Sequence, residues 1–179
     1  MSRTYAVTGV ASGIGAELAR VLKAAGHTVV GYDLIKTDLN VDHFVPLDLN
    51  DEDSILAAAQ QTPVGLDGLC NNAGLPPRLG LEAAILQVNF LGTGAFTKAM
   101  LPHLRPGASI VTMASRAEHG WRENLEQIKR LAHLTRADQL DGFIAAEGID
   151  ATRCYNLTKE AVILWSVSLT EELIGKGLR

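Results

Sequence analysis

The chain has 179 residues, 47% of them hydrophobic, with a mean hydropathy of +0.12, a formal net charge of −4 and a pI near 5.7. This is enough apolar material for the core of one domain, and an acidic balance without any run of Lys or Arg excludes the footprint that a nucleic-acid backbone demands. Cys70 and Cys154 form no C-x-x-C pair and the five histidines never fall at metal-ligand spacing, so neither a disulfide framework nor a zinc site is expected, and buried free thiols are.

Strand-like residues begin at Arg3, leaving no space for a charged n-region, an apolar h-region and a cleavage site. A cytoplasmic chain without a membrane partner is therefore expected. "TYAVTG" predicts a first strand, "GAELARVLKAAG" a first helix, "HTVVGYD" a second strand and "HFVPLD" a third. "DSILAAAQQ" reads as a helix before a fourth strand, "LDGLCNNAG". After the loop "LPPRLG" a helix is expected over about 81–104, then a buried fifth strand, "SIVTMAS". The alternation predicts right-handed βαβ units, and the unbroken apolar character of the strands predicts a parallel sheet covered on both faces. The fold class is α/β, a doubly wound, Rossmann-type sheet. Region 116–150 differs, being charged, with Leu125, Ile128, Leu131 and Leu134 spaced for one helix face. It reads as a helical insertion in a single domain spanning 1–179, and a last helix is expected over about 152–174.

Gly9, Gly13 and Gly15 stand where the first strand gives way to the first helix. Such a turn aims backbone N–H groups and the positive end of a helix dipole at a phosphate, and glycine keeps side chains away from the ligand and the helix packing. The spacing is not G-x-G-x-x-G, so the glycines alone leave an ordinary tight turn open. Asp33 closes the second strand 18 positions beyond Gly15, where an acidic side chain accepts hydrogen bonds from an adenosine ribose, unless it is a turn aspartate. No Arg or Lys stands at Ser12 or Leu34 to receive a 2′-phosphate, and Asp33 repels one, which points to NAD rather than NADP.

With these residues on the page the chain resembles the short-chain dehydrogenase/reductase family, whose pattern T-G-x-x-x-G-I-G is matched by Thr8, Gly9, Gly13, Ile14 and Gly15. "NNAG" at Asn71 to Gly74 is similar to the family's fourth-strand motif, and Asp48 and Leu49 fall where the family contacts adenine. Asn89 in "QVNFLG", Ser115 in "VTMAS", and Tyr155 and Lys159 in "YNLTK" are similar to its catalytic Asn, Ser, Tyr and Lys. The resemblance implies an NAD cofactor held by Gly9, Ser12, Gly13, Ile14, Gly15, Asp33, Asp48, Leu49, Asn72, Ala73, Gly74, Tyr155 and Lys159, and a small-molecule alcohol or carbonyl substrate. An ordinary phenol ionises only near pH ~10, so a catalytic Tyr155 needs help. Lys159, one helical turn on, favours the phenolate. Ser115 is placed to hydrogen-bond the substrate oxygen. Asn89 holds a proton-relaying water by resemblance, or else bonds the backbone as a helix asparagine.

Two departures from the family pattern stand out. Ser115 and Tyr155 are 40 positions apart, and a helical insert there resembles the bacterial subgroup that includes coniferyl-alcohol dehydrogenase and 3α-hydroxysteroid dehydrogenase/carbonyl reductase. The chain also ends where the family's sixth strand begins, which predicts an unpaired edge on the fifth strand and a longer natural product. The family's pairing of helices across a symmetric interface implies a homodimer or other homo-oligomer, with Leu125, Ile128 and Leu131 either in that interface or packed on their own domain. Two other functions stay open: a non-catalytic dinucleotide sensor, and a sugar-nucleotide epimerase or dehydratase, whose usual T-G-x-x-G-x-x-G does not fit Gly9, Gly13 and Gly15.

Overall fold

The computed structural model describes residues 2–179. Five parallel strands, β1 (Thr4–Thr8), β2 (Thr28–Asp33), β3 (His43–Pro46), β4 (Leu66–Asn71) and β5 (Leu104–Thr112), form one sheet in the order β3-β2-β1-β4-β5. The chain winds outward from β1 through β2 to β3, returns beside β1 as β4, and winds the other way to β5. That reversal between β1 and β4 is the switch point at which open α/β sheets form a crevice.

Helix α1 (Gly13–Ala24) covers one face, packing Leu18, Ala19 and Leu22 against Val7 and Val29. On the other face α2 (Glu52–Gln60) and α4 (Thr93–Met100) bury Ile55, Ala58, Phe96 and Met100 against Ala6, Val30, Tyr32 and Leu69. Neighbouring residues of one strand, such as Ala6 and Val7, thus enter opposite cores, which is why the strands read as unbroken apolar runs.

The stretch expected as one helix over 81–104 is four segments: α3 (Glu82–Leu86), a π turn (Gln87–Gly92), α4 and a 3₁₀ turn (Leu101–His103). The Thr93 hydroxyl donates to the Val88 carbonyl at 2.9 Å, five residues back along the π turn. Strand β5 starts at Leu104, earlier than expected, and bulges through Pro106 and Gly107 before regaining register at Ser109 opposite Gly68.

Region 116–150 holds a 3₁₀ turn (Arg116–Gly120), α5 (Leu125–Ala132), a second 3₁₀ turn (Ala137–Gln139) and α6 (Leu140–Glu147). The apolar face of α5 packs within the chain: Ile128 and Leu131 are buried with Leu140, Phe143, Leu157 and Ala161. Each such side chain contributes about 1.5–3 kcal/mol by leaving water. The last helical stretch is α7 (Ala151–Ser168) and a short α8 (Thr170–Gly175). Asp150 caps α7 by accepting the Arg153 amide at 2.7 Å.

The expectation that β5 presents an unpaired edge is corrected. Gly107 donates to the Gly177 carbonyl at 2.7 Å, Arg179 donates to Ala108 at 3.0 Å, and Ile110 donates to Arg179 at 2.6 Å, so the last residues already pair along it. Cys154 is buried and Cys70 half-buried, both as free thiols. Among the described residues no helix is long and apolar enough to cross a membrane.

Candidate active site at the strand ends

Parallel strands end on one edge of the sheet, and every residue picked out in the sequence as a ligand of the adenosine half follows a strand end or opens α1. Gly9 follows β1, Asp33 ends β2, Asp48 and Leu49 follow β3, and Asn72, Ala73 and Gly74 follow β4.

The glycine-rich turn is shaped mainly by its own protein neighbours. A Cβ on Gly15 would overlap the Gly9 carbonyl oxygen and stand 2.5 Å from Asn72 Nδ2, so the helix could not start where it does. Gly13 is different, because nothing lies within 4 Å of where its Cβ would be and its φ is +57°. The first turn of α1 carries no acidic residue and Ser12 makes no side-chain cap, so the positive end of the helix has no charge partner within its first turn, and Ile14 beside it is exposed. Asp33 accepts the Ala11 amide on Oδ2 at 2.9 Å and the Ile35 amide on Oδ1 at 3.0 Å, so it tethers the turn to the end of β2.

Behind the turn, the buried Thr8 hydroxyl accepts the amides of Asn72 and Ala73 at 3.0 and 2.9 Å, while Asn72 Nδ2 donates to the Thr8 carbonyl at 3.1 Å. Asp48 accepts the Asn50 amide at 2.8 Å in a tight local turn, and Leu49 is buried with its carbonyl against Gly92 of the π turn.

The other four predicted residues gather around β4, β5 and α7. Asn89, in the π turn, spends its side chain on the Leu75 backbone: Oδ1 accepts the amide at 2.7 Å and Nδ2 donates to the carbonyl at 2.9 Å. These two bonds fix the chain just after Gly74. A Cβ on Gly74 would stand 3.1 Å from Asn89 Oδ1 and 3.9 Å from Lys159 Nζ, so these two side chains meet at one backbone position. Lys159 is buried, donates from Nζ to the Met113 carbonyl at 2.8 Å, and lies 5.7 Å from the centre of the Tyr155 ring. Met113 in turn donates its amide to Asn71 at 2.9 Å. Ser115 stands two residues further on, half-buried, as does Tyr155 on α7.

A groove of about 560 Å³ between α3 and α6, lined by Glu82, Gln87, Leu140 and Ile144 among others, contains none of these residues. The predicted residues lie instead along the strand edge, where the buried Lys159 amine stands beside the Tyr155 ring. Sequence reading passed over Leu75, Met113 and the anchoring role of Thr8, since main-chain acceptors leave no mark on residue type.

Residues 3–125 match the family described as short chain dehydrogenase. The chain belongs to the short-chain dehydrogenase family. It is 37% identical over 171 residues to coniferyl-alcohol dehydrogenase of Pseudomonas sp. strain HR199, an alignment covering 96% of this chain and 67% of that one. It is 31% identical over 116 residues to 3-alpha-hydroxysteroid dehydrogenase/carbonyl reductase of Comamonas testosteroni, covering 63% of this chain and 44% of that one. Among solved structures, 3-alpha-hydroxysteroid dehydrogenase from Pseudomonas sp. B-0831, complexed with NADH, matches in fold with a TM-score of 0.81 at 24% identity, over 98% of this chain and 69% of that one. This short-chain dehydrogenase thus has the Rossmann-like fold of an oxidoreductase family and spans between under half and two thirds of these curated relatives.

Proposed function

We propose that this short-chain dehydrogenase interconverts a secondary or aromatic alcohol and its carbonyl, using NAD(H), with Tyr155 as general acid and base. The observation that carries the reading is the placing of Lys159: a buried amine beside the Tyr155 ring, bonded to the Met113 carbonyl two residues before Ser115.

The residues present fit a dinucleotide. The open side of Gly13, the uncompensated first turn of α1 and the Asp33 carboxylate suit a pyrophosphate and an adenosine ribose without a 2′-phosphate. When bound, the nicotinamide supplies or accepts the hydride. Ser115 holds the substrate oxygen, and Tyr155 donates a proton to that oxygen in reduction and removes it in oxidation. Lys159, as an ammonium, stabilises the phenolate through its field. Asn89 keeps the Gly74–Leu75 backbone in place beside that amine.

The 37% identical relative supports an aromatic alcohol as the substrate class. The test is a panel of aromatic alcohols, steroids and small ketones followed by NADH absorbance. Turnover of at least one pair supports the reading; NADH binding without any turnover across the panel would make the protein a dinucleotide sensor.

A further inference from the structure

Helix α7 grips the segment around Ser115 at two points with consecutive residues. Before Ser115, Lys159 Nζ donates to the Met113 carbonyl at 2.8 Å. After it, the Glu160 carboxylate accepts Asn124 Nδ2 at 3.0 Å, and Asn124 donates its own amide to the Gly120 carbonyl at 3.1 Å. Ser115 sits between these anchors, directly before the 3₁₀ turn Arg116–Gly120.

Glu160 is only 2% exposed. A charge that deep persists only when it is paired and hydrogen-bonded. Arg153, two turns earlier on the same side of α7, donates from Nη1 to Oε1 and from Nη2 to Oε2, both at 2.8 Å. The same guanidinium donates from Nε and Nη2 to Gln127 Oε1 at 2.9 and 2.6 Å. Gln127 Nε2 donates to Glu147 Oε2 at 3.0 Å, and Arg130 pairs with that carboxylate as well. At 3.6 residues per turn, Arg153 and Glu160 share one side of α7, while Tyr155 and Lys159 share another. One side of the helix carries the proposed chemistry, and the other holds α5, the end of α6 and the 3₁₀ turn.

Buried ion pairs add little stability over apolar side chains of equal volume, and their best-attested use is to fix register. We propose that Glu160 is a positioning residue of the active site: held by Arg153, it pins Asn124 and, through it, Gly120, and so sets where Ser115 stands relative to Tyr155. This rests on the assignment of Ser115 and Tyr155 as the pair that handles the substrate oxygen.

The test compares the full chain with Glu160→Gln and with the double variant Arg153→Met/Glu160→Met. The double variant leaves no lone buried charge and keeps side-chain volume, which protects folding. Melting temperature, NADH dissociation constant, kcat on the best carbonyl of the panel, and hydrogen exchange of peptides over 113–124 are measured together. In the double variant, NADH affinity should stay within about twofold and the melting temperature close to the parent's, while kcat falls about tenfold or more and 113–124 exchanges faster than in the parent. Peptides from β1 to β4 should not change. Glu160→Gln, which keeps an oxygen for Asn124, should fall between the two. Unchanged exchange over 113–124, or parent-like kcat in the double variant, overturns the proposal. So does faster exchange spread over the whole chain with a lowered melting temperature, because Glu160 would then be a general stabiliser. A parent that turns over no carbonyl sinks the oxidoreductase reading instead, and the exchange result then decides alone whether Glu160 holds the segment.

Discussion

Asp33 and Ala11, 22 residues apart, are joined by a hydrogen bond of 2.9 Å from the Ala11 amide to the Asp33 carboxylate. The acidic residue that the sequence marks for cofactor choice is therefore also a strut of the glycine-rich turn. Its two roles separate by substitution. Asp33→Asn keeps an oxygen for the Ala11 amide and removes the charge, so the preference for NADH over NADPH should fall by about tenfold while the turn holds. Asp33→Ala should weaken both cofactors, since the turn loses its tether. Dissociation constants for NADH and NADPH check this, and an unchanged ratio in Asp33→Asn would mean that Asp33 does not face the ribose.

Thr8 is 1% exposed, and its hydroxyl serves two amides at once, those of Asn72 and Ala73. Valine has the same shape and no acceptor. Thr8→Val should lower unfolding free energy by about 1–3 kcal/mol, from two part-buried N–H groups left without partners. Thr8→Ser should recover most of that. Urea unfolding with an unchanged slope is the measurement, and a Thr8→Val loss under about 0.5 kcal/mol would mean that the two amides find other partners.

Burial pushes the Cys154 thiol from 9.0 up to about 11. Between those values the unfolded chain gives up the proton and the folded chain keeps it, so the folded state binds more protons and stability falls as pH rises. The contribution is fully present below about pH 9 and lost towards pH 11. Cys154→Ala lacks this dependence. The stability gap between parent and Cys154→Ala should narrow by about 2 kcal/mol across that window, read by denaturant titration at a series of pH values. A constant gap would mean that the thiol is solvated in the fold.

Much of this was legible in the residues because the physics behind it is local or periodic. Apolar runs announced the five strands, and the glycine spacing pointed to a turn in which Gly15 has no room for a side chain, as its contacts with Gly9 and Asn72 show. What periodicity could not show was a change of helix type: Gln87–Gly92 reads the same in an α or a π turn, because the two differ only in which backbone carbonyl each amide meets. Pro106 and Gly107 hid the start of β5, since they read as a loop and are in fact a bulge within the strand. Glu160 was passed over in "YNLTKEAVILW" because its partners Arg153, Gln127 and Asn124 form a buried cluster that only the packing of α5 on α7 creates.

The central claim is that Tyr155 transfers the proton, and one substitution addresses it. Tyr155 packs against the apolar cluster that surrounds Leu157 of α7, so Tyr155→Phe keeps that packing and removes only the hydroxyl. The decisive measurement is kcat and the NADH dissociation constant of Tyr155→Phe on the best substrate of the panel. A fall in kcat of about 10²-fold or more with NADH binding unchanged is the predicted result. Parent-like kcat in Tyr155→Phe would contradict it and place the proton transfer on another group.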